Sequence, residues 1–184
     1  CTMEGNAWVI SKSWILGVDL LMILVTLGTQ DKEFKRILIE VERLIEVGKI
    51  NEKVIAQIGN TKFETKLPNS KMELIKFTTP KQLNELIQDS SFIITHGGVG
   101  TIIEGIDLGK KIIAVPRLKK YKEHVNDHQL QIIQNFDNKG YIIGTRCVED
   151  IENSLDRVEK FVPRRYESNN EKFVEKLESK IEIL

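Results

Sequence analysis

The chain has 184 residues, 41% of them hydrophobic, with 27 Lys+Arg set against 27 Asp+Glu. That length favours one compact domain, and the balanced charge gives no global pull on nucleic acid, so any attraction for anions must come from local clustering. Only Cys1 and Cys147 occur, which excludes a disulfide framework or a Cys-rich metal site and fits a reducing cytoplasm.

Residues 1–21, "CTMEGNAWVISKSWILGVDLL", lack a methionine at position 1, and their apolar run from Trp14 is broken by Asp19. They are too short and too interrupted for a membrane span or a clean signal peptide. The expectation is a native start at Met22, with 1–21 as an upstream or non-native segment; a membrane-touching segment is the other reading. From Met22 the pattern alternates regularly. "MILVTLG" reads as a strand, and "DKEFKRILIEVERLIEVG" as a helix, because Phe34, Ile37, Leu38, Val41, Leu44 and Ile45 recur at helical spacing. "KVIAQIG" and "MELIKF" are two further strands. "TPKQLNELIQDS" is a short helix capped by Thr79 with Pro80 in its first turn. Then come strand "SFIIT", helix "VGTIIEGIDLG", strand "KKIIAVP", helix "HVNDHQLQIIQNF" and a last strand "GYIIG". Val148 to Lys160 and Asn169 to Ile183 read as surface helices with Pro163 between them. Isoleucine- and valine-rich strands alternating with helices predict an α/β fold, a Rossmann-like parallel sheet with helices on both faces. Ligands of such sheets sit at the carboxyl ends of the strands.

One of those ends carries "THGGVGT". Gly97, Gly98 and Gly100 let backbone approach a ligand closely, and the following helix presents free N–H groups and partial positive charge to an anion. His96 and Thr101 flank the turn as further donors, and Glu104, one helical turn inside, can accept from the vicinal hydroxyls of a ribose. A nucleotide satisfies all of these groups. The plainer reading is a tight turn followed by a solvated acid. A dinucleotide fingerprint fits worse, because the turn follows the fourth strand and lacks the third glycine; "GIDLGKK" has the wrong spacing for a P-loop. In the next loop Arg117, Lys119, Lys120 and Lys122 cluster ahead of His124, Asp127, His128 and Gln129. The cluster reads either as cations beside hydroxyl-binding groups or as a solvated loop. His124 and His128 fall four apart, as a zinc pair would on a helix, with no third ligand at supportive spacing.

"THGGVGTIIEGIDLGKKIIAVPR" followed by "EHVNDHQ" resembles the donor-binding half of MurG-type, family 28 GT-B glycosyltransferases. The resemblance runs from Met22 to about Gly144. It is closest to the short stand-alone subunits, both the catalytic partner of the eukaryotic two-subunit transferase adding the second GlcNAc to dolichol-diphosphate-GlcNAc and similar bacterial capsule and exopolysaccharide proteins. It implies that 22–184 is a nucleotide-sugar-binding domain. His96, Gly97, Gly98, Gly100 and Thr101 would hold the donor diphosphate, Glu104 the ribose, and Asp127, His128 and Gln129 the donor sugar. Gly28, Thr29 and Gln30 would lie near the diphosphate or the acceptor, and Arg117 would join the substrate-binding set as a cation. "GKKI" departs from the family's Gly-Lys-Pro, and the expectation is that the acceptor-binding domain stands on another chain.

The implied function is the catalytic subunit of an inverting hexosyltransferase in capsule or exopolysaccharide biosynthesis. It would use UDP-galactose, UDP-GlcNAc or UDP-glucuronate, with no metal and no cofactor beyond the UDP-sugar substrate. A membrane-anchored acceptor-binding subunit would recruit it to the cytoplasmic face of the membrane, where a lipid-linked saccharide is the acceptor. The catalytic base stays unassigned: His96 is the best-placed histidine, but a helix N-terminus suits it to phosphate contact, and the base can sit on the partner. The alternatives are a non-catalytic nucleotide-sugar-binding regulatory subunit and a UDP-sugar epimerase, whose known forms carry both GT-B domains in one chain.

Overall fold

A computed structural model describes residues 22–165; the expectations for 1–21 and for a helix over 169–183 lie outside them. Six strands, β1 (Met22–Thr26), β2 (Lys53–Gln57), β3 (Met72–Ile75), β4 (Ser90–His96), β5 (Lys111–Val115) and β6 (Ile143–Gly144), form one sheet in the order β3-β2-β1-β4-β5-β6. Every pairing is parallel. Four α-helices lie in the crossovers, α1 (Lys35–Glu46), α2 (Pro80–Asp89), α3 (Val99–Asp107) and α4 (His128–Asn138), and α5 (Asp150–Lys160) follows β6.

Both faces of the sheet are covered, which is why its strands are continuously apolar. Ile23 and Val25 of β1 with Phe92 and Ile94 of β4 pack on Ile37, Leu38, Val41 and Leu44 of α1 and on Ile151 and Val158 of α5. Leu24 and Ile93 face the other way, onto Ile87 of α2, Ile102 and Ile106 of α3 and Ile133 of α4. The expected capping box is formed: Gln82 N–H donates to Thr79 Oγ1 (3.2 Å), and Thr79 N–H to Gln82 Oε1 (2.9 Å). In "GKKI", Lys110 Nζ donates to the carbonyl of Ser90 at 2.8 Å and to that of Gln88, so a lysine fastens the end of α2.

The boundaries differ from the sequence reading most at three elements. α1 starts at Lys35 rather than Asp31, because the carbonyls of Leu27, Gly28, Thr29, Gln30 and Lys32 are held by side chains of other elements. α4 starts at His128 rather than His124, because residues 122–127 form turns and bends that begin with Lys122 at φ 61°. The last strand is cut to Ile143–Gly144. The crossovers diverge between β1 and β4, so the loops after these two strands border the cleft of an open α/β sheet.

Candidate functional site

The loop after β1 is held by its carbonyl oxygens. Gln57, buried at the end of β2, accepts from Thr26 Oγ1 (2.8 Å) and Gly28 N–H (3.2 Å), and donates to the carbonyls of Gly28 (3.2 Å) and Lys76 (3.0 Å). Asn60 Nδ2 donates to the carbonyls of Thr29 (3.4 Å) and Gln30 (3.3 Å). Arg117 donates to those of Leu27 (2.8 Å) and Lys32 (2.7 Å). With the carbonyls engaged, the exposed Thr29 and Gln30 keep amide N–H groups that meet no acceptor among the described residues. Successive amides of this kind make an anion-binding concavity.

His96 closes β4 and fills the space between two glycines. A Cβ at Gly28 (φ 70°) would lie 2.6 Å from His96 Cε1, and one at Gly98 would lie 2.4 Å from Nε2. Only glycine leaves room for the ring at both positions. The residue is 6% exposed, and its Nδ1 has no hydrogen-bond partner. Burial first, then the charge of Arg117 and more weakly that of His124, hold its pKa down to about 4, against an opposing backbone contact from Thr26. The imidazole is therefore neutral near pH 7, and too weakly basic there to deprotonate a hydroxyl efficiently.

Gly98 is the N-cap of α3, with no side chain capping it, so the first-turn amides open onto the cleft beside exposed Val99 and Gly100. Thr101, half-buried, makes no side-chain hydrogen bond among the described residues. Glu104 follows one turn on, half-buried, its Oε1 accepting from Asn84 Nδ2 of α2 at 3.2 Å. Gly97 serves packing: a Cβ there would come within 2.9 Å of Gln129 Cβ.

The loop after β5 corrects part of the sequence reading. Arg117 is no surface cation: it is 1% exposed, its terminal nitrogens bind the two carbonyls above, and its guanidinium lies 5.0 Å from the Phe34 ring centroid. Burial pushes its pKa down to about 10, partly opposed by Glu123. It ties the β5 loop to the β1 loop instead of reaching for a substrate. Glu123, also buried, takes a bidentate ion pair from Arg36 (2.8 and 2.7 Å) and the N–H of Leu118 (3.0 Å). Gln129 is buried with its Oε1 on the N–H of Arg117 (3.0 Å); its amide nitrogen has no acceptor among the described residues. Exposed Asp127 accepts from Lys119 N–H (2.8 Å), and exposed His128 meets Gln131 through Nδ1 (3.1 Å). His124 precedes α4 and contacts Asn126 (2.9 Å), so the helical zinc pairing with His128 does not exist.

A groove of about 360 Å³ between these loops is lined by Thr29, Gln30, Asp31, Lys32, His124 and Val125. A larger hollow of about 460 Å³ lies at the opposite, amino end of the strands, away from both glycine loops. The structure thus brings Gly28, Thr29, Gln30, His96, Gly98, Gly100, Thr101 and Glu104 to the switch point. Gln57, Asn60, Asn84, Arg36 and Glu123 escaped the sequence reading. Only Gln57, polar at the end of an apolar strand, left a signal there.

The description of the glycosyltransferase family 28 C-terminal domain matches residues 22–182. The chain belongs to this family. The UDP-N-acetylglucosamine transferase subunit ALG13 of Candida albicans is 33% identical over 75 residues, 41% of this chain and 24% of that protein. The chain spans less than half the length of each curated relative it matches. In fold, the family 28 domain is similar to UDP-bound S. aureus MnaA, at TM-score 0.58 and 15% identity over 90% of this chain and 47% of that one. It is also similar to the NMR structure of ALG13, at TM-score 0.51 and 18% identity over 85% of this chain and 94% of that one. No helix among the described residues is long and apolar enough to cross a membrane.

Proposed function

We propose that this chain is the donor-binding catalytic subunit of an inverting UDP-sugar-dependent glycosyltransferase. Its acceptor is a lipid-diphosphate-linked saccharide of capsule or exopolysaccharide biosynthesis. The observation that carries the proposal is the neutral His96, its Nδ1 without a hydrogen-bond partner, lodged between the Gly28 and Gly98 loops, with free amides on either side and Glu104 one turn inside α3. The diphosphate lies across the first turn of α3 and the Thr29–Gln30 amides, which stabilise the charge developing on the leaving UDP. Glu104 accepts from the ribose hydroxyls. Asp127, His128 and Gln129 border the sugar, with the Gln129 amide nitrogen as a donor to one of its hydroxyls. These residues form one wall of a cleft. A membrane-anchored partner supplies the other wall, the acceptor site and the base, and draws the chain to the cytoplasmic face of the membrane. UDP-GlcNAc is the first donor to test, because the curated relatives carry it in their names.

The test uses the full chain with and without the partner, a panel of UDP-sugars and a lipid-diphosphate acceptor. Calorimetry is expected to give the same UDP affinity in chelator as in magnesium, with turnover only when the partner is present. Turnover by the isolated chain would refute the one-wall reading. UDP binding with no turnover alongside any partner would mark the chain as a regulatory module.

A further inference from the structure

Glu104 stands on α3, but the group that aims it stands on α2. Asn84 Nδ2 donates to Glu104 Oε1 at 3.2 Å, while Asn84 Oδ1 accepts from Gln88 Nε2 at 2.7 Å, one turn further along α2. A side-chain amide can turn over and exchange its donor for its acceptor. The Glu104 carboxylate can only accept, so it holds the Asn84 nitrogen toward itself, while Gln88 Nε2 occupies the Asn84 oxygen on the other side. The position of α2 is itself set by the Thr79 capping box at one end, by Lys110 at the other, and by Leu86 and Ile87 packing in the same cluster as Ile102 and Ile106 of α3. Glu104 Oε2 meets no donor among the described residues and is left for a ligand.

We infer that Asn84, with its oxygen engaged by Gln88 and its nitrogen on Glu104, is a positioning residue that orients the Glu104 carboxylate and thereby sets preference for a ribose bearing its hydroxyls. This rests on the reading of Glu104 as the ribose acceptor. Asn84 touches no substrate; it acts through Glu104. Gln88 is exposed, and its donor keeps the Asn84 oxygen turned away from the carboxylate.

The test compares affinities of the full chain for UDP and 2′,3′-dideoxy-UDP by calorimetry. Asn84→Asp is near-isosteric but offers Glu104 no donor, and Gln88→Glu sets a second carboxylate to compete with Glu104 for the Asn84 NH2 group. Both are expected to cut the preference for UDP about three- to tenfold, the scale of a half-exposed hydrogen bond to a charged group. Their affinity for the dideoxy compound should change little. Gln88→Lys keeps a donor and should retain the preference, which a merely structural role for α2 does not foresee. Thermal melts of each variant check that the fold is kept. A wild-type chain that binds both nucleotides equally overturns the ribose role of Glu104 and this inference together. Preference in the wild type that survives both Asn84→Asp and Gln88→Glu overturns the positioning role alone.

Discussion

Gly98→Ala probes the packing on which the site depends. The backbone there, at φ −81° and ψ 115°, accepts alanine, so strain of the chain is not at issue. The added Cβ, however, would stand 2.4 Å from His96 Nε2 and 2.7 Å from Cε1, far inside contact distance. The ring is buried and backed on its other side by Gly28, so it cannot retreat without opening the β1 loop. Overpacking of this kind costs about 1–3 kcal/mol, and alanine as a poorer N-cap adds about 0.5 kcal/mol. In a His96→Ala background the clash disappears and the cap effect remains. A double-mutant cycle by urea denaturation should therefore return a coupling of about 1–2 kcal/mol between positions 96 and 98, with UDP affinity reduced in both single variants. Additive effects would refute the argument that the imidazole occupies the space between the two glycines.

His96 also predicts a pH dependence. With a folded pKa of about 4 against an ordinary 6.5, the unfolded chain takes up the proton first, so this stability is complete above pH 6.5 and is lost as pH falls from 6.5 to 4. The contribution is at most about 3 kcal/mol, and denaturation midpoints across that window should flatten in His96→Gln. Glu104→Ala should weaken UDP binding by about 1.5–3 kcal/mol with the melting temperature unchanged; unchanged affinity in a folded protein would make Glu104 a surface acid. Glu123→Ala strips a buried partner from Arg36 and from the Leu118 amide, and chemical denaturation should register a loss of about 2–3 kcal/mol.

The architecture was legible because each crossover announces itself. Ile- and Val-rich runs cannot lie on a one-sided sheet, and Thr79-Pro80 or Gly97-Gly98 mark the points where strand gives way to helix. The glycine turn and Glu104 were legible for the same local reason, since both are fixed by neighbours in sequence. What the sequence concealed is long-range. Arg117 looked like one of four loop cations, but its neighbours across the fold are the Leu27 and Lys32 carbonyls, 90 and 85 residues away in sequence. The late start of α4 arose likewise: helical periodicity ran back through His124, while Glu123 was drawn into the ion pair with Arg36. Asn84 and Asn60 lie in polar surroundings where no pattern distinguishes a working amide from a solvated one.

Gln57 has a consequence for how ligands are received. Its side chain grips the N–H and the carbonyl of Gly28, which belong to two successive peptide units, while its nitrogen also holds the carbonyl of Lys76. Neither peptide plane can flip without breaking one of those bonds. A guest at this loop thus meets a mould already set, and the ordering entropy that a flexible glycine segment would forfeit on binding has been surrendered during folding. On the proposed function, selection would then work by rejection: an anion whose oxygens do not match the fixed amides would gain nothing from induced adjustment, and association would be governed by encounter rather than by rearrangement of the loop.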